Sequence, residues 1–150
     1  SDSMHDGYSV FGRDMLQVAS ADATFVDARG RRGLGVGAEM MWARMHEKYV
    51  ITLAPLGSHY HRETGEMLGI QVSPYLHPFV VALSDRVVSS IHEGAEVLKG
   101  FIEMKQKPKS VSSIQNCIDH YLETQFDKDA PMKQLEHVLK STADRIWQLK

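Results

Sequence analysis

The stretch ATFVDARGRRGLGVGAEMMWARMHEKYVITLA, residues 23–54, decides the architecture. Its opening, ATFVDA (23–28), reads as a short buried strand with Asp27 near its C-terminal end. RGRRGLGVG (29–37) carries four glycines and three arginines and reads as a loop. Good helix formers follow from Ala38 to Lys48, with Ala38, Met41, Trp42 and Met45 along one face. YVITLA (49–54) reads as a second strand, ended by Pro55, Leu56 and Gly57. Strand, glycine turn, helix, strand is a βαβ unit, so a parallel sheet is expected. A right-handed crossover puts the glycine turn at the C-terminal edge of that sheet, where open α/β sheets bind ligands.

Working outward, residues 1–10 are polar without a clear period, and Phe11, Met15, Leu16 and Ala19 fit one helix face up to Ser20. On the other side, SHYHRETGEMLGIQVSP (58–74) reads as a long loop of the kind that forms lids or binding segments. A helix is expected through HPFVVALSD (77–85), then a strand over 86–89. Ser90 and Glu93 form a capping-box pattern opening a helix that turns Ile91, Ala95, Leu98 and Ile102 inward. KQKPKS (105–110) is a charged, proline-containing break. Beyond it Ile114, Cys117, Ile118, Tyr121 and Leu122 make one helical stripe, and Leu135, Val138, Leu139, Ala143, Ile146 and Trp147 make another. Asp129 and Pro131 suit the cap and first turn before that second stripe. The expected organisation is an α/β domain over 1–106 and a C-terminal helical hairpin over 107–150.

A chain of 150 residues suits a single main core, and 43% apolar with 24% charged residues is the balance of a folded chain. The net charge of −2 gives no footprint of a dedicated nucleic-acid or membrane binder. No apolar run approaches the roughly 20 residues that span a bilayer. Cys117 is the single cysteine, so no internal disulfide forms. With no signal-peptide pattern at the start, the expected compartment is the cytoplasm.

The chemistry-bearing constellation is Asp14, Asp22, Asp27 and then Gly35-Val-Gly37-Ala-Glu39. A glycine turn entering a helix presents backbone N–H groups beside the positive end of the helix dipole, a place for phosphate or another anion. Glu39 in that first turn would stay ionised, as a nucleophile or electrostatic stabiliser must, although an acid there also serves as simple capping. Asp14 and Asp27 are expected at ends of elements converging on the same edge, and two carboxyl groups in different environments can divide acid and nucleophile roles. Asp22 reads as a turn residue.

The run DMLQVASAD (14–22), then ATFVDA, then LGVGAE (34–39) followed by MMWA resembles the nucleoside 2-deoxyribosyltransferase family, nearest its 2′-deoxynucleoside 5′-monophosphate N-glycosidase branch. The likeness covers about residues 11 to 55, and less clearly 75–104. It implies a Rossmann-like, flavodoxin-type parallel sheet flanked by helices, and cleavage or transfer at an N-glycosidic bond. Residue by residue, Glu39 matches the family's nucleophile, Asp14 the acid that protonates the departing base, and Asp27 a supporting acid at the strand end. Gly33 stands where relatives carry an acid for the sugar hydroxyl or a serine for phosphate. The neighbouring Arg29, Arg31 and Arg32 favour a 5′-phosphate or are solvated loop charges. Arg31, Arg32, Gly33, Gly35, Gly37 and Trp42 are the expected substrate-binding positions. The family places a strand, a glycine turn, a helix and a second strand ahead of the residue matched by Asp14, whereas 13 residues precede it here. An N-terminal portion or another chain is expected to supply that segment, or the site is incomplete.

The resemblance implies no cofactor and a homo-oligomer, a dimer or higher, with a small-molecule nucleoside or nucleotide as partner and no membrane or nucleic-acid polymer. The alternative is a non-catalytic nucleotide-binding or assembly module of the same fold. His59, His61 and Glu63 suggest a metal site, but without a third clear ligand a polar lid is favoured. Cys117, on its apolar stripe, reads as a buried core thiol. Trp42 packs on the sheet or lines a base pocket, and Tyr8 and Phe11 stack on a base or pack in the core.

Overall fold

The structure, a computed structural model, describes residues 6–147, with side chains as far as Thr142. Residues 1–5 and the side chains of Ala143, Ile146 and Trp147 therefore lie outside the described residues. The chain divides into two compact units, Ser1–Ser113 and Ile114–Lys150.

The first unit is α/β. Its sheet has three parallel strands, β1 (Ala23–Asp27), β2 (Tyr49–Leu53) and, later in the chain, a strand at Arg86–Val88, with β2 in the middle. The register aligns Phe25 with Ile51 and Asp27 with Leu53, and the third strand sets Val88 beside Leu53. Side chains alternate between faces along a strand, so Phe25, Ile51, Leu53 and Val88 share one face. There Ile51, Leu53 and Val88 form a buried cluster with Val97 and Leu98 against it. Val50 and Thr52 point to the other face, where Thr52 Oγ1 lies 2.7 Å from Ser84 Oγ.

Helix α1 (Gly7–Ser20) starts earlier than its apolar spacing implied, because Asp6 caps it by accepting from Ser9 N at 2.8 Å. Asp14 thus sits at mid-helix and not at an element end. Helix α2 (Leu34–Met45) also starts early, so residues 34–37 are helical where a loop was expected. Gly35 and Gly37 are poor helix formers, and packing outweighs their propensity cost of about 1 kcal/mol each. The buried face of α2 is Met40, Ala43 and Arg44; Met41 and Met45 are exposed, contrary to the expected phase.

Residues 58–74, expected as one long loop, instead contribute to two small antiparallel ladders. β3 (His61–Arg62) pairs with β6 (Tyr75–Leu76), and β4 (Gly65–Met67) pairs with β5 (Ile70–Val72). Leu68 and Gly69 both have positive φ, 49° and 80°, as a tight two-residue hairpin turn requires. A Cβ at Gly65 would lie 2.4 Å from the buried Tyr75 ring, so only glycine allows this close approach. Helix α3 (Pro78–Leu83) follows, then β7 (Arg86–Val88) and α4 (Ile91–Glu103). Ser90 caps α4 through Glu93 N at 3.0 Å, as expected, while Glu93 Oε2 accepts from Ser89 N at 2.7 Å. The inward face of α4 is Gly94, Val97, Leu98 and Phe101; Ile91 and Ile102 are exposed.

The core of this unit closes on a buried ion pair. Arg44 Nη1 lies 3.2 Å from Asp85 Oδ2, and the arginine side chain is fully buried. Arg44 also donates to the carbonyls of Leu83 and Lys109. Asp85 accepts in turn from Val50 N and Lys109 N, each at 2.7 Å. Residues 105–110 are thereby bound into the first unit.

The second unit is helical: α5 (Ser112–Thr124), a 3-10 turn at Phe126–Lys128, α6 (Ala130–Gln134) and α7 (Glu136–Trp147). Asp129 caps α6 by accepting from Met132 N at 3.3 Å, with Pro131 in the first turn, as the sequence implied. The second stripe is thus divided at Leu135. Cys117 is exposed, which corrects its reading as a buried thiol, because little apolar surface covers this face of α5 among the described residues. No helix among the described residues is long and apolar enough to cross a membrane.

Removing one partner of a buried ion pair leaves the other charge uncompensated, at a cost of about 3–5 kcal/mol. Asp85→Ala is expected to lower unfolding free energy by that amount, read as a fall in the urea midpoint. A change of the size seen at exposed sites would contradict the role given to this pair.

Candidate functional site

The first turn of α2 sits beside the C-terminal edge of the sheet, reached directly from β1 through residues 28–33. Ala28 N donates to Leu53 O and Ala54 N to Val88 O, so the ladder runs to this edge. Gly33 is the N-cap of α2 and supplies no side-chain acceptor. Glycines at the start of the helix leave the first-turn amides uncovered by side chains, where an anion can approach.

The three arginines of the preceding loop differ in what they touch. Arg29 grips Asp27 with two hydrogen bonds, Nε to Oδ1 at 2.9 Å and Nη2 to Oδ2 at 2.7 Å, and its backbone N adds a third at 3.2 Å. Arg32 donates from Nε to the Asp27 carbonyl and holds Nη2 3.4 Å from Asp27 Oδ2. Arg31 is exposed and makes no ion pair or hydrogen bond among the described residues. The Arg29 side chain, and after it the Arg29 backbone N–H, hold the Asp27 carboxyl well below the usual carboxylate range. Asp27 is therefore an ionised clamp for the arginine loop, and in this arrangement it is no proton donor.

Arg32, Gly33 and Gly37 come together on a cavity of about 210 Å³. Its other wall is Tyr60, His77 and Phe79. Tyr60 Oη accepts from Arg32 N at 3.0 Å, and the His77 ring meets Tyr60 and Phe79 edge-on, with centroids 5.4 and 5.8 Å apart. His77 also caps α3 by accepting from Phe79 N at 3.2 Å. Residues Tyr60, His77 and Phe79 were not expected at a site. The signal for them was the histidine and aromatic spacing of HYH (59–61) and YLHPF (75–79), with Leu68-Gly69 as a hairpin turn between.

Glu39 and Trp42 do not line that cavity. At 100° per residue, Gly33, Gly37 and Met40 occupy one side of α2, and Gly35, Glu39 and Trp42 the opposite side. Glu39 stands in the second turn, not the first, because α2 begins at Leu34. Its carboxylate nevertheless reaches back: Oε1 lies 3.9 Å from where a Cβ on Gly35 would be. Helical side chains lean towards the N-terminus, which brings this carboxylate alongside Gly35 in the first turn.

Trp42 faces α1 and donates from Nε1 to Met15 O at 3.0 Å, which pins the two helices together. Its indole N–H is thus already used. Asp14, next to Met15, receives Arg13 on Oδ1 from both Nε, at 3.0 Å, and Nη2, at 2.8 Å. Tyr8 and Phe11 on the same helix are exposed, so they do not pack in the core. Asp22 is exposed and joins β2 through its carbonyl, which accepts from Tyr49 N. His61 Nδ1 is 2.7 Å from Ala54 O, and no group of three acidic, histidine or cysteine residues is placed for a metal among the described residues.

Compared with protein-family models, curated proteins and solved structures, the chain gives no match.

The Asp27 clamp has a pH signature. Its folded pKa is depressed, so its stabilisation is fully present above the unfolded value of about 3.9 and is lost as pH falls through the lower, folded value. The stability difference between the wild type and Asp27→Asn is expected to be constant near neutrality and to shrink in strong acid, measured by urea unfolding across pH. A difference that grows on acidification would contradict the clamp.

Proposed function

We propose that this protein cleaves or transfers at the N-glycosidic bond of a nucleoside or deoxynucleoside, or of its 5′-monophosphate. The observation that carries the reading is the Glu39 carboxylate folded back over the uncapped, glycine-lined first turn of α2, at the C-terminal edge of a parallel sheet. The parallel βαβ core supports a Rossmann-like, flavodoxin-type fold, and the resemblance of residues 14–42 supplies the chemistry.

In this reading a Glu39 oxygen attacks the anomeric carbon from below, the carbon–nitrogen bond breaks, and the base leaves with a proton. A covalent glycosyl-glutamate remains until water or a second base displaces it. Asp14 supplies the proton. Arg13 now occupies its carboxylate, so this role requires that substrate displace Arg13. Arg31 and the first-turn amides are the groups left to meet a 5′-phosphate, since Asp27 already engages Arg29 and Arg32.

A second reading, a nucleotide-binding module without catalysis, is favoured by two features. Arg13 ties up Asp14, and the aromatic cavity lies on the face of α2 opposite Glu39. The two readings separate in a base-release assay by chromatography over ribo- and deoxyribonucleosides and their 5′-monophosphates. The enzymatic reading expects release from one substrate class, lowered on the order of 10³-fold or more in Glu39→Gln and about 10²- to 10⁴-fold in Asp14→Asn. Wild-type rates in Glu39→Gln would refute it. Nucleotide binding by calorimetry with no base released would select the module.

A further inference from the structure

The cavity of about 210 Å³ beside α2 takes no part in the chemistry assigned to Glu39, which stands on the opposite side of that helix. Ala28, Met40, Val80 and Leu83 form its buried apolar part. Tyr60, His77 and Phe79 meet only edge-on, so none of these rings stacks face to face with another. A flat ring entering the cavity can stack on one of them.

The polar side chains at the cavity all offer donors. Arg32 uses Nε on the Asp27 carbonyl and keeps Nη2 3.4 Å from Asp27 Oδ2, which leaves Nη1 unengaged among the described residues. Tyr60 Oη accepts from Arg32 N, and its own proton has no acceptor among the described residues. His77 Nδ1 accepts from Phe79 N, so the proton of the neutral imidazole sits on Nε2, which also has no partner there. Among the described residues no acidic side chain lines the cavity. Donors that converge without an acceptor suit an anion.

Gly37 gives a second, independent sign. It sits inside α2, where glycine costs about 1 kcal/mol relative to alanine. A Cβ there would meet no atom within 4 Å, and its φ is not positive. Neither packing nor backbone conformation calls for glycine; what the bare Cα provides is room in the cavity. Such a breach of local propensity is expected where a site has to stay open.

We propose that this cavity binds a small aromatic carboxylate, its ring among the apolar and aromatic side chains and its carboxylate on Arg32, Tyr60 and His77. The volume lies below the roughly 300–1,000 Å³ of sites for drug-sized ligands, so one ring with its charged group is what fits. The inference stands independently of any chemistry at Glu39.

The test is isothermal titration calorimetry of benzoate into the full chain, with benzamide, acetate, inorganic phosphate and adenosine 5′-monophosphate as comparison probes. Benzoate is expected to bind about tenfold or more tighter than benzamide, which lacks the charge, and than acetate, which lacks the ring. Gly37→Leu puts a side chain into the cavity without a clash at Cβ and is expected to weaken benzoate binding about tenfold or more. Arg32→Gln is expected to weaken it by about the same factor. Circular dichroism verifies that the variants fold; if Gly37→Leu does not, Arg32→Gln and the wild-type comparison with benzamide still decide. No binding of benzoate at millimolar concentration overturns the proposal, including the case in which only the adenosine monophosphate or inorganic phosphate binds. Benzoate binding that is matched by benzamide or acetate, or that both variants leave unchanged, overturns it as well.

Discussion

Arg44 carries its charge into the interior of the α/β unit, and the segments at the N-terminal ends of β2 and β7 are tied to that charge. It holds Asp85 after α3, the carbonyl of Leu83 and the carbonyl of Lys109, while Asp85 accepts from the amides of Val50 in β2 and of Lys109. A buried pair of this kind costs desolvation and is tolerable only when its remaining hydrogen-bonding positions are filled. Here nearly all are filled by backbone from segments distant in sequence, and Arg44 Nε is left without a partner. Such a network stabilises one arrangement of the segments more than it adds net stability.

Its placement has a consequence for the opposite end of the same helix. The C-terminal half of α2 is locked by Arg44 and by Trp42 on α1, so the N-terminal turn is held at the sheet edge without having to pack tightly itself. That turn can then consist of glycines. Gly33 and Gly37 line one side towards the aromatic wall of Tyr60, His77 and Phe79, and the Glu39 carboxylate lies alongside Gly35 on the other. The arginine loop is drawn back by Asp27, whose single carboxylate engages two of its guanidinium groups and leaves Arg31 exposed.

The βαβ core was legible because its two strands are short apolar runs separated by a glycine turn and helix formers. The Ser90 and Asp129 caps were legible because a side-chain oxygen at the right offset has a direct physical role. The starts of α1 and α2 were less so: Tyr8 and Val10 are exposed, and the glycines before Glu39 oppose helix by propensity. Arg44 could not be read as core, since a lone arginine on a helix is ordinarily solvated and its partners lie 39 to 65 residues away. Arg32, Gly33 and Gly37, singled out in the sequence, come together on one cavity, whereas sequence did not show that Asp27 binds the arginines, that Asp14 is mid-helix beside Arg13, or that Glu39 faces away from that cavity. Those facts depend on helix phase and local pairing.

The decisive step is whether Glu39, alongside the first turn of α2, forms a bond to sugar. A 2′-fluoro-substituted deoxynucleoside 5′-monophosphate is suited to the test, because the fluorine slows breakdown of a glycosyl-enzyme by destabilising the oxocarbenium-like transition state. After incubation, peptide mass spectrometry is expected to find one sugar phosphate attached, on the peptide containing Glu39 and at that carboxylate. Base release with no adduct, or with the adduct on another residue, would contradict the account.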